Sequence, residues 1–418
     1  MVRIDRARSA ARIGRDVDAL TTSMYSLKAD AICRYAYTDV YANTLRYFEQ
    51  QLTDIGFEVA HDPVGTMLAR NRARGEPCFA VGSHCDSNRN GGKYDGTLGV
   101  ATAVEVCRLS KEHGLELPLQ VISFLEEEGS GFGQLLLGSR IVAQSITEED
   151  LRERVRARDD GRSFWEHAAA AGYRPQDWRE AHDILKHLVG WIELHIEQGK
   201  ILEDAGTRIG IVRGIAGYVH ADITIQGRAD HAGATPMDSR HDAGVVAAKT
   251  VVEIERIARA AGDGTVGTVG EITFRPGIIN VVPGEARFSL DLRGMNDEKV
   301  EMARRKIVAF ARNAAKRRGM EASYKERQTV PAVRLDHDLV AAIESAAAAV
   351  DEPYRLMVSG AAHDTMCVAP FVPSAMVFVP CRAGISHSPL EQADPGDAAV
   401  AAEIMLNAAQ TFVSRAMN

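Results

Sequence analysis

The sequence predicts an α/β fold: a domain with a central mixed, mostly parallel sheet flanked by helices, interrupted by an inserted ferredoxin-like α+β domain. Three observations carry this. Short apolar runs alternate with helical patterns between about residues 40 and 190, as buried strands with crossover helices do. The texture changes near residue 213, where the half-exposed alternating run VHADITIQG (219–227) begins. From there the order β-α-β-β-α-β runs to EASYKERQ (321–328), the pattern of one sheet covered by two helices. The first domain is expected over 1–212 and 328–418, the inserted one over 213–327.

In the first domain, CFAVGSH (78–84) reads as a buried strand and TLGVATAVEVCRL (97–109) as the helix after it. VISFLEEE (121–128) is an apolar run ending in acids, and WIELHIEQG (191–199) is another, ending in His-x-Glu-Gln. LRERVRARDDGRSFWEHAAAAGYRPQDW (151–178) reads as a helical excursion over the surface. In the inserted domain, helices are expected at about 240–261 and 297–318, and strands over TVGTVGEITFRP (265–276) and ARFSLDLRG (286–294).

Hydrophobic residues make up 45% and charged residues 25% of the 418, the composition of a soluble globular protein. A net charge of −8 argues against nucleic acid and anionic membrane as partners. The N-terminal stretch MVRIDRARSAARIGRDVDAL lacks the apolar core of a signal peptide, and none of the six cysteines forms a CxxC pair, so free thiols in a reducing cytoplasm are expected.

Four stretches carry chemistry. GSHCDSNRNGGKYDG (82–96) puts His84, Asp86 and Asp95 in a glycine-rich loop between strand and helix. A parallel sheet presents ligand sites at the carboxyl ends of its strands. In extended chain His84 and Asp86 point the same way, so Asp86 can fix the tautomer of the His84 ring while Cys85 points away. Taken alone, the loop also reads as a turn with Asp95 capping the helix. Glu126-Glu127-Glu128 ends an apolar strand, where three acids repel one another unless a cation neutralises them. His195-Ile196-Glu197-Gln198 and Ser386-His387-Ser388-Pro389-Leu390-Glu391 complete the set. Histidines and carboxylates at strand ends, with an extra Asp, supply N and O ligands suited to Zn²⁺ or Mn²⁺, and the surplus of carboxylates suits a two-metal site.

GSHCDS…GGKYDG, EEEGS, HIEQG, GRADHAGATPM, SGAAHD and GISHSPLE, in this order, resemble the hydantoinase/carbamoylase family of amidohydrolases, within the aminoacylase and carboxypeptidase-type metallopeptidase superfamily. The resemblance covers about residues 40 to 412. It implies a metal-dependent hydrolase of the carbamoyl or ureido C–N bond of an N-carbamoyl-L-amino acid or allantoate-like ureido acid, releasing CO₂ and ammonia. It implies two divalent ions (Zn²⁺ or Mn²⁺, with Co²⁺ or Ni²⁺ as alternatives). His84, Asp95 and His195 would hold one, Asp95, Glu128 and His387 the other, with Glu127 as general base on a bridging water. It further implies His231 as oxyanion stabiliser, Asn280, Arg293 and Gln198 as substrate contacts, and the inserted domain as lid and dimerisation unit of a homodimer. Two departures bear on substrate choice: Gly131 replaces the usual Arg after EEEGS, and Ala362 stands where SGAGHD has its second Gly, whose backbone meets the substrate. The rival readings are an aminoacylase or dipeptidase-like amide hydrolase of the same superfamily, and a non-catalytic binding protein on the same scaffold. The small-residue face Val245, Val246, Ala247, Ala248 and Val251 offers a dimer surface, unless it packs on its own sheet.

Overall fold

The computed structural model describes residues 1–416. The chain forms two units, Met1–Arg213 together with the segment from Arg334 onward, and Gly214–Val333. The second boundary lies at 333/334 rather than 327/328, because the strand Glu321–Val330 continues beside Gly217–Gln226 past a register shift between Glu326 and Gln328.

The first unit is built on a nine-stranded mixed sheet. Its centre is four parallel strands in the order Leu119–Phe124, Cys78–His84, Leu188–Ile196, Ser374–Val379. Every residue of Cys78–His84, Leu119–Phe124 and Ser374–Val379 is buried, which is why these segments read as unbroken apolar runs. From Cys78–His84 the chain moves to one side of that strand and then returns to the other. This reversal is a topological switch point, and open α/β sheets bind their ligands outside the carboxyl ends of the strands at such points, here those of Cys78–His84 and Leu188–Ile196. The helix Thr97–Glu112 packs on this sheet and against the long helix Pro395–Ala416.

The stretch 150–187 is helical only in short pieces, Asp150–Arg154, Phe164–Ala170 and Pro175–His187. It is not purely a surface excursion: Phe164 and Trp178 are buried, and the Phe164 ring packs on Tyr37 and Phe132.

The inserted unit has the antiparallel order Ile272–Arg275, Glu285–Gly294, Gly217–Gln226, Glu321–Val330, the strand order of a ferredoxin-like sandwich. The helices Ala243–Ala261 and Asp297–Lys316 cover one face through Val246, Ala247, Ile254 and Ile307, against Ile223, Ile225, Phe288 and Leu290. TVGTVGEITFRP makes two short strands, Val266–Thr268 and Ile272–Arg275, because between them the Gly270 and Glu271 amides donate to the Ser289 hydroxyl instead of a ladder carbonyl. Of the expected small-residue surface only part faces outward: Val246 and Ala247 are fully buried in the unit's own core and Val251 packs against it, whereas Val245 is half-buried and Ala248 exposed. Larger exposed apolar side chains include Ile272 and Phe274 on the edge strand, with Ile278 and Ile279 beyond. Among the described residues, no helix is long and apolar enough to cross a membrane.

Candidate metal centre

The four central strands bring three of the motifs together, and the loop after Ser374–Val379 brings the fourth. His84 ends its strand and His195 stands next to the end of its neighbour, with their Nε2 atoms 3.4 Å apart. Asp95 reaches the same point from the glycine-rich loop: its Oδ1 is 3.1 Å from His195 Nε2 and 3.7 Å from His84 Nε2. Asp95 is not the helix cap, since the N-cap of Thr97–Glu112 is Gly96 and the cap position makes no side-chain hydrogen bond. On its other side, Asp95 Oδ2 lies 3.3 Å from His387 Nε2, which is also 3.3 Å from Glu128 Oε1. Two groups of potential ligand atoms thus share Asp95, one with His84 and His195, the other with Glu128 and His387. Cys85 belongs to neither group.

These atoms suit cations better than one another. Asp95 Oδ1 and Glu128 Oε1 are buried and have no hydrogen-bond partner, although imidazole nitrogens lie within 3.1–3.3 Å of them. Buried polar atoms rarely go unpaired, so each calls for a partner of another kind. Burial, with Asp95 adjacent, pushes the Glu128 carboxyl up to about 7. Burial also opposes the charge of Asp95, but His195, His387 and His84 outweigh it and hold Asp95 well below the usual carboxylate range. The Asp95 bond, with Glu128 near, lifts His387 to about 9 against the burial that opposes it. The residues present fit a pair of N/O-ligated divalent ions.

The three consecutive acids separate by role. Glu128 faces His387; Glu127 Oε2 lies 3.9 Å from His84 Nε2, at the edge of the cluster. Glu126, at φ 53°, turns away and accepts the amides of Ala36, Gly131 and Phe132. Asp86 serves both sides: its carbonyl and carboxylate lie 3.1 and 3.4 Å from His84 Nδ1, and its carboxylate accepts the amides of Glu127 and Glu128. His195 Nδ1 is 3.0 Å from the Ile196 carbonyl, which leaves Nε2 as its ligand atom.

Gln198 lies against the ligand cluster itself, its amide nitrogen 2.9 Å from Asp95 Oδ2 and 3.3 Å from His387 Nε2. Both Gln198 and His387 have positive φ (57° and 54°), a conformation uncommon for non-glycine residues. Ala362 is half-buried beside His363, whose ring packs 4.4 Å from that of His195. Glu391 and Ser386 sit inside a quoted motif yet received no role from the sequence. Here Glu391 Oε1 accepts the amides of Tyr94 and Asp95, and Ser386 donates to Asp95 Oδ2. A carboxylate bonded to backbone amides leaves no signature in a single sequence.

His231, Asn280 and Arg293 belong to the inserted unit. Antiparallel pairing of Asp230–His231 with Val281–Val282, with the Ala232 amide on the Asn280 carbonyl, places the first two together. His231 Nδ1 accepts the amides of Gly233 and Ala234, so Nε2 carries the proton and is free to donate. Arg293 is held at two nitrogens by Asp291, which also faces His220, and its guanidinium lies over the Tyr218 ring.

The model of peptidase family M20/M25/M40 matches residues 81–411. An N-carbamoyl-L-amino-acid amidohydrolase from Paenarthrobacter aurescens is 37% identical over 401 residues, covering 95% of this chain and 96% of that one. The allantoate amidohydrolase of Bacillus subtilis is 32% identical over 375 residues, covering 88% and 90%. A crystal structure of an amidase of the hydantoinase/carbamoylase family from Burkholderia multivorans superposes with a TM-score of 0.87 at 30% identity, covering 100% and 99% of the two chains. The chain belongs to the M20/M25/M40 peptidase family, in its hydantoinase/carbamoylase branch.

Proposed function

We propose that the protein is a metal-dependent amidohydrolase that cleaves the carbamoyl or ureido C–N bond of an N-carbamoyl-L-amino acid or allantoate-like ureido acid. The observation that carries this is the sharing of Asp95 between two ligand groups with Glu127 at their edge; relatives of the same branch named for carbamoyl and allantoate substrates set the substrate class. His84, Asp95 and His195 would hold one divalent ion, and Asp95, Glu128 and His387 the other (Zn²⁺, Mn²⁺, Co²⁺ or Ni²⁺). Bound there, such ions lower the pKa of water and polarise a carbonyl. Glu127 takes the proton as water adds to the carbamoyl carbon. It then passes that proton to the leaving nitrogen as the C–N bond breaks. The carbamate released decomposes to CO₂ and ammonia.

His231 Nε2 is the donor for the developing oxyanion, and the Arg293 fork, with Asn280, takes the substrate carboxylate. Asp291 holds Arg293 in place for that task. The inserted unit acts as lid and dimerisation domain of a homodimer, for which the exposed edge strand with Ile272 and Phe274 is the candidate surface. The six cysteines are unpaired thiols, which fits a cytoplasmic enzyme. The test is ammonia release from allantoate, ureidoglycolate, carbamoyl-β-alanine and a set of carbamoyl-L-amino acids, with each metal in turn. Release from none of them, alongside cleavage of N-acyl amino acids or dipeptides, would replace this reading with that of an acylase or peptidase.

A further inference from the structure

We propose that Glu391 is the positioning residue of the shared ligand Asp95, acting as a clamp between the two loops that carry Asp95 and His387. This rests on the dinuclear reading above. Glu391 is 3% exposed. Its Oε1 accepts the amides of Tyr94 and Asp95 at 2.9 and 3.0 Å, which fixes the backbone of Asp95 directly. Its Oε2 lies 3.3 Å from the hydroxyl of Ser386, and that hydroxyl is 3.0 Å from Asp95 Oδ2. Ser386 immediately precedes His387. One carboxylate therefore sets the main chain at Asp95, while its second oxygen lies beside the hydroxyl of Ser386, next to His387 in the chain, and the single proton of that hydroxyl goes to Asp95 Oδ2.

The glycine-rich loop is shaped around this clamp. A Cβ at Gly92 would stand 2.4 Å from Glu391 Cβ and Oε1. Gly92 thus has a reason independent of turn geometry: a side chain there would push Glu391 off the two amides. The motifs GGKYDG and GISHSPLE, some 300 residues apart in the chain, are two halves of one device. Residues that orient metal ligands typically change metal affinity by 10–100-fold when removed.

The test is competition for Zn²⁺ and Mn²⁺ against a chromophoric chelator on the full-length protein, with stoichiometry by elemental analysis. The visible spectrum of the Co²⁺-loaded protein serves as a second readout. Wild type comes first: failure to bind two equivalents would sink the dinuclear reading itself, whatever Glu391 does. Given two equivalents, Glu391→Ala is expected to weaken binding by about 10–100-fold and to alter the Co²⁺ spectrum. Glu391→Gln, whose amide oxygen still accepts both N–H groups, is expected to stay within about threefold of wild type, since the acceptor geometry is what this ligand arrangement needs. Gly92→Ala is expected to lose affinity like Glu391→Ala, and the double variant no more than either alone, because both act on one contact. Wild-type constants in Glu391→Ala, or Glu391→Gln as weak as Glu391→Ala, would overturn the clamp. If Glu391→Ala does not fold, Glu391→Gln and Gly92→Ala decide it: the clamp stands only if the first keeps and the second loses affinity.

Discussion

Gly96 follows the shared ligand Asp95 and caps the helix Thr97–Glu112 at φ 61°, ψ −50°. A Cβ on this backbone would lie 2.3 Å from Cε1, 2.4 Å from Nδ1 and 2.5 Å from Nε2 of His84. The Gly96→Ala variant therefore has two costs. Holding an L-residue in this sparsely populated region costs about 1–3 kcal/mol. The second cost falls on His84, whose ring must retreat by about 1 Å to reach ordinary van der Waals contact. The ring has little room to do so, since it is fully buried, held at Nδ1 by the Asp86 carbonyl and packed on the His195 ring. A ligand moved by that much should weaken metal binding by about 10–100-fold, and a comparable misplacement of reacting groups costs about 100-fold in turnover. Gly206 is the control: its φ is also 61°, but a Cβ there meets nothing within 4 Å. Gly206→Ala should lose about 1 kcal/mol of stability and no metal affinity. The assays are chelator competition for the metal constants and thermal unfolding of metal-stripped protein for stability. If Gly96→Ala bound metals with wild-type constants, the claim that His84 is a ligand fixed by packing would be refuted.

Glu127→Gln should retain both ions and lose more than the ~10²–10⁴-fold usual for a general base, because the attacking water also loses its orienting acceptor; a variant keeping over a tenth of wild-type activity would refute the assignment. His387→Ala should lower saturated metal content from two equivalents toward one by elemental analysis, since the group His84, Asp95 and His195 is left intact. Asp222 accepts bonds from Arg327 and Arg287, which hold its carboxyl down at about 2 from 3.8. Its folded pKa is the depressed one, so its contribution is complete above about pH 4 and disappears as pH falls toward 2. With both arginines about half exposed, that contribution is about 1 kcal/mol, and urea unfolding of Asp222→Asn should show this much less stability loss between those pH values. Mixing Glu127→Gln with His231→Ala should restore about a quarter of wild-type activity if His231 completes the partner's site in a homodimer, the statistical share with one intact site in each mixed dimer; no recovery after demonstrated subunit exchange would mean that His231 serves its own chain's site, or no site at all.

What the sequence determines by itself is the local chemistry. The apolar runs CFAVGSH, VISFL and WIELHI are strands because all-buried parallel strands need unbroken apolar residues, and each ends in or is followed by its acids or histidine at the carboxyl end. The order β-α-β-β-α-β likewise follows from periodicity, since each helix and strand shows its buried face as spacing. The tertiary structure decided the rest, because pairing between distant segments leaves no trace in local spacing. It placed Leu188–Ile196 between Cys78–His84 and Ser374–Val379, and so set His195 beside His84, with Asp95 shared between that pair and His387. It sorted three identical acids, sending Glu126 to the backbone while Glu127 and Glu128 face the histidines. It turned Val246 and Ala247 inward, a choice hard to read in the first turns of that helix, where Val245, Val246, Ala247 and Ala248 are all small or apolar. And it brought Glu391 to Asp95 across a separation of 296 residues, a contact made by backbone amides that every residue but proline carries and that no sequence can advertise.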